Sequence, residues 1–298
     1  MNALAQGHHV IDVDGIPQEY EVRGVAGPVC LALTGGPGID GGYFRLPALE
    51  ERMTMVYPTQ VGTTEDSRLP SHPDGYTMEV YVRFVHAVVE HLDVPRVYLL
   101  GHSAGGFFAQ GYALTHPDRL AGVILHSSMA HNTLELREEA TARLDDLPAR
   151  FPGHPGPVTV RAVWEEPVVE NPTDELRTAR FRKLLPAYFK DYWGREEEFA
   201  AMAESVFVHN VNGLSFDHRG RLGEMRTPTL VVVGMHDFIC SPRWAEEMIA
   251  ELPDASLVQL LDSGHYGHLE QPAEFTDAVA GFVGVTETRW ADNTATTA

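Results

Sequence analysis

The sequence predicts an α/β fold, a mostly parallel twisted sheet with helices on both faces. Short, continuously apolar runs such as VCLAL and VYLL have strand length and alternate with helix-patterned segments. Continuous apolarity is typical of strands that are covered on both faces. Ahead of these runs, residues 8–24 alternate apolar and polar positions around an Asp14-Gly15 turn, which predicts an antiparallel hairpin. A hairpin followed by alternating strands and helices gives such a sheet.

The individual elements follow in order along the chain. MTMVYP predicts a second buried strand, and TMEVYVRFVHAVVEHL predicts a helix that begins after Thr77. The strand VYLL, the helix AGGFFAQGYALTH and the strand AGVILH come next. The alternation then stops, and it resumes with the strand TPTLVVVG, the helix PRWAEEMIAEL, the strand SLVQLL and the helix PAEFTDAVAGFV.

The interruption predicts an insertion into the sheet domain. ELREEATARLDDL and DELRTARFRKLLPAYFKDYW have helical patterns, and the Pro/Gly-rich FPGHPGPVTV connects them. We therefore expect a core domain of residues 1–129 and 223–285, a helical cap of residues 130–222 and a flexible polar tail of residues 286–298.

Composition and charge exclude several classes of protein. The 298 residues include 22 Lys and Arg against 42 Asp and Glu, a net charge of −20, which argues against binding to nucleic acid or to an anionic membrane. The charge fits solubility; a field that attracts a cationic substrate is the alternative. Without a signal peptide or a long apolar segment, a cytoplasmic location is expected. The two cysteines fit no metal or disulfide pattern, and the sequence gives no indication of oligomeric state.

GHSAG, residues 101–105, has the pattern of a serine nucleophile at a sharp turn. It follows a predicted strand and precedes a predicted helix, which is the context that G-x-S-x-G requires. Gly101 and Gly105 remove Cβ atoms that would collide with neighbouring elements. We predict that Ser103 is the nucleophile and that His102 beside it only packs.

Two later strand ends offer the groups that would activate this serine. Asp237 follows the strand TPTLVVVG, and His265 follows SLVQLL, so the chain order is nucleophile, acid, histidine. We predict Asp237 as the acid and His265 as the base. His268 is the alternative base, and Asp262 the less favoured acid.

The glycine-rich turn TGGPG, residues 34–38, follows the strand VCLAL and lies at the same edge of the sheet. Backbone N–H groups there can face the nucleophile and bind the oxyanion of an acyl-transfer intermediate. We predict that the N–H groups of Gly36 and Ala104 form this oxyanion hole, with Gly35 as the less favoured donor. Pro37 has no N–H to give.

Together these segments resemble the proline iminopeptidase-like branch of the α/β-hydrolases. TGGPG is similar to their H-G-G-P-G loop, GHSAGG to their nucleophile turn, and VVVGMHD and DSGHYGHLEQP to their acid and histidine segments. The resemblance implies an α/β-hydrolase fold with a helical cap after the sixth strand and no metal or organic cofactor. It also implies aminopeptidase, esterase, amidase or lactonase activity on a small-molecule substrate.

Several positions depart from that family. Thr34 replaces the His that opens the glycine loop, and Pro58 and Val61 stand where the family has Asp and Arg. Phe238 follows Asp237, where many iminopeptidases carry a Glu that binds the substrate's ammonium group. The pair Glu165 and Glu166 is an alternative source of that charge.

The sequence therefore leaves the substrate open. An apolar pocket is expected from Gly35, Phe238, Trp164 and Tyr188. Hydrolysis of a carboxylic ester or amide through an acyl-serine is the favoured activity. A proline iminopeptidase, a non-hydrolytic lyase or isomerase, and a ligand-binding protein on the same scaffold are the alternatives.

Overall fold

A computed structural model describes residues 2–24 and 27–297, with the backbone alone for residues 293–297. Within these residues the strands have the following bounds: β1 Gly7–Val13, β2 Ile16–Gly24, β3 Val29–Leu33, β4 Thr54–Pro58, β5 Val97–His102, β6 Leu120–His126, β7 Thr229–Gly234 and β8 Ala255–Leu260. They form one eight-stranded sheet in the order β1-β2-β4-β3-β5-β6-β7-β8. The pairs β1–β2 and β2–β4 are antiparallel, and the other neighbours are parallel.

The hairpin turns where the sequence predicts. Val13 pairs with Ile16, and the two residues between them have positive φ, 56° at Asp14 and 83° at Gly15. That conformation matches the twist of a two-residue hairpin, and Asp and Gly adopt it at little cost.

Helices cover both faces of the sheet. Their bounds are α1 Pro47–Glu50, α2 Met78–His91, α3 Ala104–Thr115, α4 Leu134–Asp145, α5 Leu147–Arg150, α6 Gly156–Glu165, α7 Asp174–Leu184, α8 Glu196–Ser205, α9 Pro242–Glu251, α10 Gly267–Glu270 and α11 Pro272–Thr297. Side chains of α2, α3 and α9 share one apolar core with the sheet, and side chains of α1 and α11 share the core on the opposite face. The predicted mostly parallel α/β architecture is confirmed.

The chain between β6 and β7 carries α4 to α8 and adds no strand to the sheet. Two details differ from the sequence prediction. Much of the expected Pro/Gly connection is helical, since α6 begins at Gly156, and α8 had no predicted counterpart. Pro157 occupies the first turn of α6, where a proline removes no intrahelical hydrogen bond. The boundaries of the cap at residues 130 and 222 remain a prediction.

The C-terminal segment also differs from the expected flexible tail of residues 286–298. Helix α11 continues to Thr297, and Ala298 lies outside the described residues. The indole of Trp290 donates to the carbonyl of Ala121 at 3.2 Å, and the Arg96 guanidinium lies 3.6 Å from its ring centre. These tertiary contacts hold a polar sequence in a helix. None of the described helices combines the length and the apolar composition that a membrane span requires.

Candidate active site

Ser103 lies in a sharp turn between β5 and α3. Its φ and ψ are 54° and −119°, a conformation that few non-glycine residues adopt. A Cβ on Gly101 would collide with the backbone of Gly105, and a Cβ on Gly105 would collide with the carbonyl of Leu33. The strain at the serine is thus sustained by close backbone packing on both sides, as strained functional residues require.

Asp237 and His265 meet at the ends of β7 and β8. His265 Nδ1 donates to Asp237 Oδ2 at 2.8 Å, and the two side chains are 3% and 0% exposed. The other carboxylate oxygen, Oδ1, accepts the backbone N–H groups of Ile239 and Cys240 at 3.0 and 2.9 Å. Because the proton is held on Nδ1, the Nε2 atom is left with a lone pair that can accept a proton.

The alternative base and acid lie elsewhere. His268 is buried; its Nε2 faces the carbonyl of Tyr43 at 3.4 Å, and its Nδ1 faces His126 Nε2 at 3.2 Å. Burial lowers the pKa of His268 to about 3. The Asp262 carboxylate is exposed and forms an ion pair with Lys190. Neither residue is among the described residues that line the cavity at Ser103.

Cys240 is a close neighbour of the predicted triad. Its Sγ lies within 4.8 Å of a carboxylate oxygen of Asp237 and a ring nitrogen of His265, and its thiol contacts the Ser103 hydroxyl. Burial, followed by the Asp237 charge, raises the pKa of the thiol well above its usual range. Cys240 therefore stays protonated, and a protonated thiol is a weak nucleophile.

A chain of hydrogen bonds joins the glycine loop, residues 34–38, to the histidine loop, residues 261–266 between β8 and α10. Gly35 N–H donates to the Tyr43 hydroxyl at 2.6 Å, the hydroxyl donates to His102 Nδ1 at 2.8 Å, and His102 Nε2 donates to the carbonyl of His265 at 2.9 Å. His102 thus does more than pack, because it connects the two loops that flank Ser103. No sequence motif marks Tyr43, which lies in GGYFRLP.

The Gly35 N–H is used by Tyr43, which favours Gly36 as the donor to a substrate oxygen. Gly36 lines the cavity beside Ser103 and has a φ of 125°, which suits glycine. Gln60 fixes the rest of the loop, since its Oε1 accepts Gly38 N–H at 2.6 Å and its Nε2 donates to the carbonyls of Thr34 and Gly35 at 3.3 Å. No prediction from the sequence included Gln60, although it lies between Pro58 and Val61, two positions that depart from the family pattern.

Glu270 at the end of α10 links the histidine loop by hydrogen bonds to the inserted segment between β6 and β7. One carboxylate oxygen accepts Gly264 N–H at 2.6 Å, directly before His265, and the other accepts Lys190 N–H at 2.7 Å. The carbonyl of Tyr188 accepts His265 N–H at 2.6 Å. Burial raises the pKa of Glu270 to about 7, against the backbone donors that favour its charged form.

A cavity of about 510 Å³ opens onto Ser103 and His265. Two of the predicted pocket residues, Gly35 and Tyr188, line it. The other two do not: Trp164 and Phe238 pack against each other with ring centres 5.7 Å apart, in an apolar cluster formed with α4 to α7. Tyr188, which lines the cavity, packs against Phe238 with ring centres 4.8 Å apart, and a pocket role for Phe238 and Trp164 remains a prediction.

Glu165 and Glu166 are not placed to bind a substrate cation in this cavity. Both are exposed, and they pair with Arg161 at 2.8 Å and with Arg180 at 3.4 Å. No Asp or Glu is among the described residues that line the cavity.

Three buried histidines, His102, His126 and His268, lie close enough to share a metal ion. Their lone pairs are largely engaged, because His102 Nδ1 accepts from Tyr43 and His268 Nδ1 accepts from His126. Only His126 Nδ1 lacks a partner among the described residues. The donor set therefore forms a neutral hydrogen-bonded cluster and fits a metal poorly.

Comparison with known proteins identifies the family. Residues 28–272 match the family model described as alpha/beta hydrolase fold. A proline iminopeptidase of Lactobacillus crispatus (strain ST1) is 24% identical over 266 residues, which cover 83% of this chain and 87% of that protein.

Solved structures agree on the fold. The proline iminopeptidase of Mycobacterium smegmatis superimposes with a TM-score of 0.71 at 20% identity, covering 95% of this chain and 99% of that one. The enol-lactonase of Burkholderia xenovorans LB400 gives a TM-score of 0.70 at 22% identity, covering 93% and 100%. The chain therefore belongs to the α/β-hydrolase fold family and has proline iminopeptidases among its relatives.

Proposed function

We propose that this protein is a serine hydrolase that cleaves a small-molecule carboxylic ester or amide through an acyl-serine intermediate. The observation that carries the proposal is the 2.8 Å hydrogen bond from His265 Nδ1 to buried Asp237, because His265 and the strained Ser103 line the same cavity. A nucleophile, a base and a group that orients the base are the elements of such catalysis.

The proposed reaction assigns these residues the following roles. Ser103 Oγ attacks the carbonyl carbon while its proton passes to His265 Nε2, and the N–H groups of Gly36 and Ala104 bind the resulting oxyanion. The bond to the leaving group breaks, and His265 returns the proton to the departing oxygen or nitrogen. Water then attacks the acyl-serine with His265 as base, which releases the acid and restores Ser103. Asp237 holds the imidazole and stabilises its positive charge.

The lining of the cavity favours this function over an iminopeptidase. An aminopeptidase needs an anionic group for the substrate's ammonium, and the described lining contains none. Because an iminopeptidase is 24% identical to this chain, proline arylamides should be assayed beside the esters. A strong preference for proline arylamides over esters would reverse this assignment.

A serine-directed phosphonate tests the proposal. Incubation followed by peptide mass spectrometry is expected to show one adduct on the peptide that contains Ser103, with loss of esterase activity at the same rate. The Ser103→Ala protein should take up no label. An intact, folded protein that remains unlabelled, or that is labelled on another serine, would contradict the proposed mechanism.

A further inference from the structure

The charge in the cavity is the reverse of the charge on the whole chain. The net charge is −20, yet among the described residues that line the cavity the permanently charged side chain is Arg177, a cation. The lining also contains the neutral amides Asn132 and Asn212, and much of the remaining surface is apolar. Arg177 therefore adds a positive charge to a largely apolar lining.

Arg177 projects from α7 and is partly buried. Its Nη2 donates to Asn212 Oδ1 at 2.7 Å, and within the described residues no carboxylate oxygen forms an ion pair with it. Asp174, one turn earlier on α7, is a negative charge that acts on Arg177, and it opposes the lowering of the Arg177 pKa by burial. However, Asp174 already binds Arg68 at 3.0 Å and His209 at 3.4 Å.

Arg180 on the same helix differs from Arg177, because its guanidinium is bound by a carboxylate and by backbone carbonyls. Its guanidinium pairs with Glu166 and donates to the carbonyls of Trp164 and Glu166, and Arg180 is not among the described residues that line the cavity. An arginine carries five N–H donors in a planar fork that matches a carboxylate. Among the described residues Arg177 gives one of these donors to a neutral amide, which leaves others free to bind a ligand in the cavity that it lines.

We propose that Arg177 binds a carboxylate of the substrate, so that the enzyme hydrolyses an ester or lactone that carries a carboxylate group joined to its reacting carbonyl by an apolar spacer. This inference rests on the proposed serine hydrolase function. A single cation with amide neighbours fits a monoanionic carboxylate better than a phosphate dianion. The charge-assisted hydrogen bonds form inside a partly buried cavity, where they are stronger than in water.

Matched esters test the inference. Each pair has one member with a terminal carboxylate and one with a methyl ester at the same position, on either the acyl or the phenol side, with spacers of different length. For the best pair we expect kcat/KM to be at least about 10-fold higher for the carboxylate. In Arg177→Gln the ratio within that pair should fall by about 10- to 100-fold, which corresponds to about 1.4–2.8 kcal/mol. Arg177→Lys should restore part of the ratio.

Arg180→Gln is the matched control, because it makes the same change on the same helix outside the cavity. Its ratio should equal that of the wild type. A wild-type enzyme without a preference in any pair, or an Arg177→Gln protein that loses activity on both members equally, would overturn the inference and leave the serine mechanism intact.

Binding measurements on an inactive variant test the carboxylate site independently of the proposed catalytic mechanism. Calorimetry on Ser103→Ala should show the carboxylate ester bound at least about 10-fold more tightly than its neutral partner, and the added Arg177→Gln change should abolish the difference. Equal binding of the two esters overturns the carboxylate site. Absence of turnover together with an unlabelled Ser103 overturns the proposed function, whatever the binding result.

Discussion

The cavity is enclosed by two regions of different character. The turns at the strand ends contribute closely spaced polar groups. These are the strained Ser103, the hydrogen-bonded pair Asp237 and His265, and the glycine loop. The inserted segment contributes larger side chains from helices and irregular backbone, among them Arg177 and Tyr188. In the proposed function, the first region breaks the bond and the second selects the substrate.

This difference has a physical origin. Positions at strand ends are fixed by the sheet's hydrogen bonds and by close backbone packing, so a few residue types are required at each position. Helices in an insertion are held by interchangeable apolar contacts, and substitutions of similar volume are tolerated there. Changes in the first region should therefore affect all substrates, whereas changes in the second should affect the choice among them.

The largest expected effect is at Ser103. Ser103→Ala should lower kcat for every ester by about 10,000-fold or more. A water molecule activated by His265 cannot take the place of the serine nucleophile at a comparable rate. Steady-state assays on the whole ester panel measure it. Ser256→Ala, an exposed serine on β8, is the control. Substantial activity in folded Ser103→Ala would favour a lyase or isomerase that uses His265 as a base.

Glu270 joins the two regions and should make their attachment depend on pH. Its pKa is raised from 4.5 to about 7, so the folded protein retains a proton that the unfolded chain releases. Stability from this group is therefore greatest below about pH 4.5 and falls as the pH rises through 7. Urea unfolding of wild type and Glu270→Gln should show the wild type's relative stability falling by up to about 3 kcal/mol across this window. If the difference in unfolding free energy between the two proteins is constant with pH, the raised pKa of Glu270 is contradicted.

Tyr43→Phe tests the chain of hydrogen bonds on the strand-end side. The change leaves Gly35 N–H without its acceptor and His102 Nδ1 without its donor, which should cost about 1–3 kcal/mol of unfolding free energy. We expect kcat to fall by about 10-fold because the loops around Ser103 lose their alignment. The same fractional loss should occur for every ester.

Tyr57→Phe is the matched control for that variant. The Tyr57 hydroxyl accepts Leu46 N–H at 3.2 Å and donates to Glu50 at 2.8 Å, and it is not among the described residues lining the cavity at Ser103. It should lose stability with little change in kcat. Equal losses of kcat in both variants would mean that Tyr43 acts only through stability.

The smallest effect is expected at Phe238, which packs behind Tyr188 in the inserted segment. Phe238→Leu should cost about 1 kcal/mol of stability and change the relative kcat/KM of short and long acyl esters by less than about 3-fold. Phe181→Leu, at a residue that lines the cavity, should change that selectivity more. The reverse order would support a pocket role for Phe238.

The amino-acid sequence by itself determined the sheet architecture and the positions that meet at its edge. Buried strands, glycine turns and the order Ser103, Asp237, His265 are local patterns, and the parallel sheet brings strand ends together whatever lies between them. Tertiary structure alone decided what surrounds them. Phe238 adjoins Asp237 in sequence but turns into the helical cluster, while Tyr43 and Arg177 reach the site from distant segments that carry no motif. Side-chain packing between remote elements depends on how volumes fit, and one residue's neighbours in sequence do not specify it.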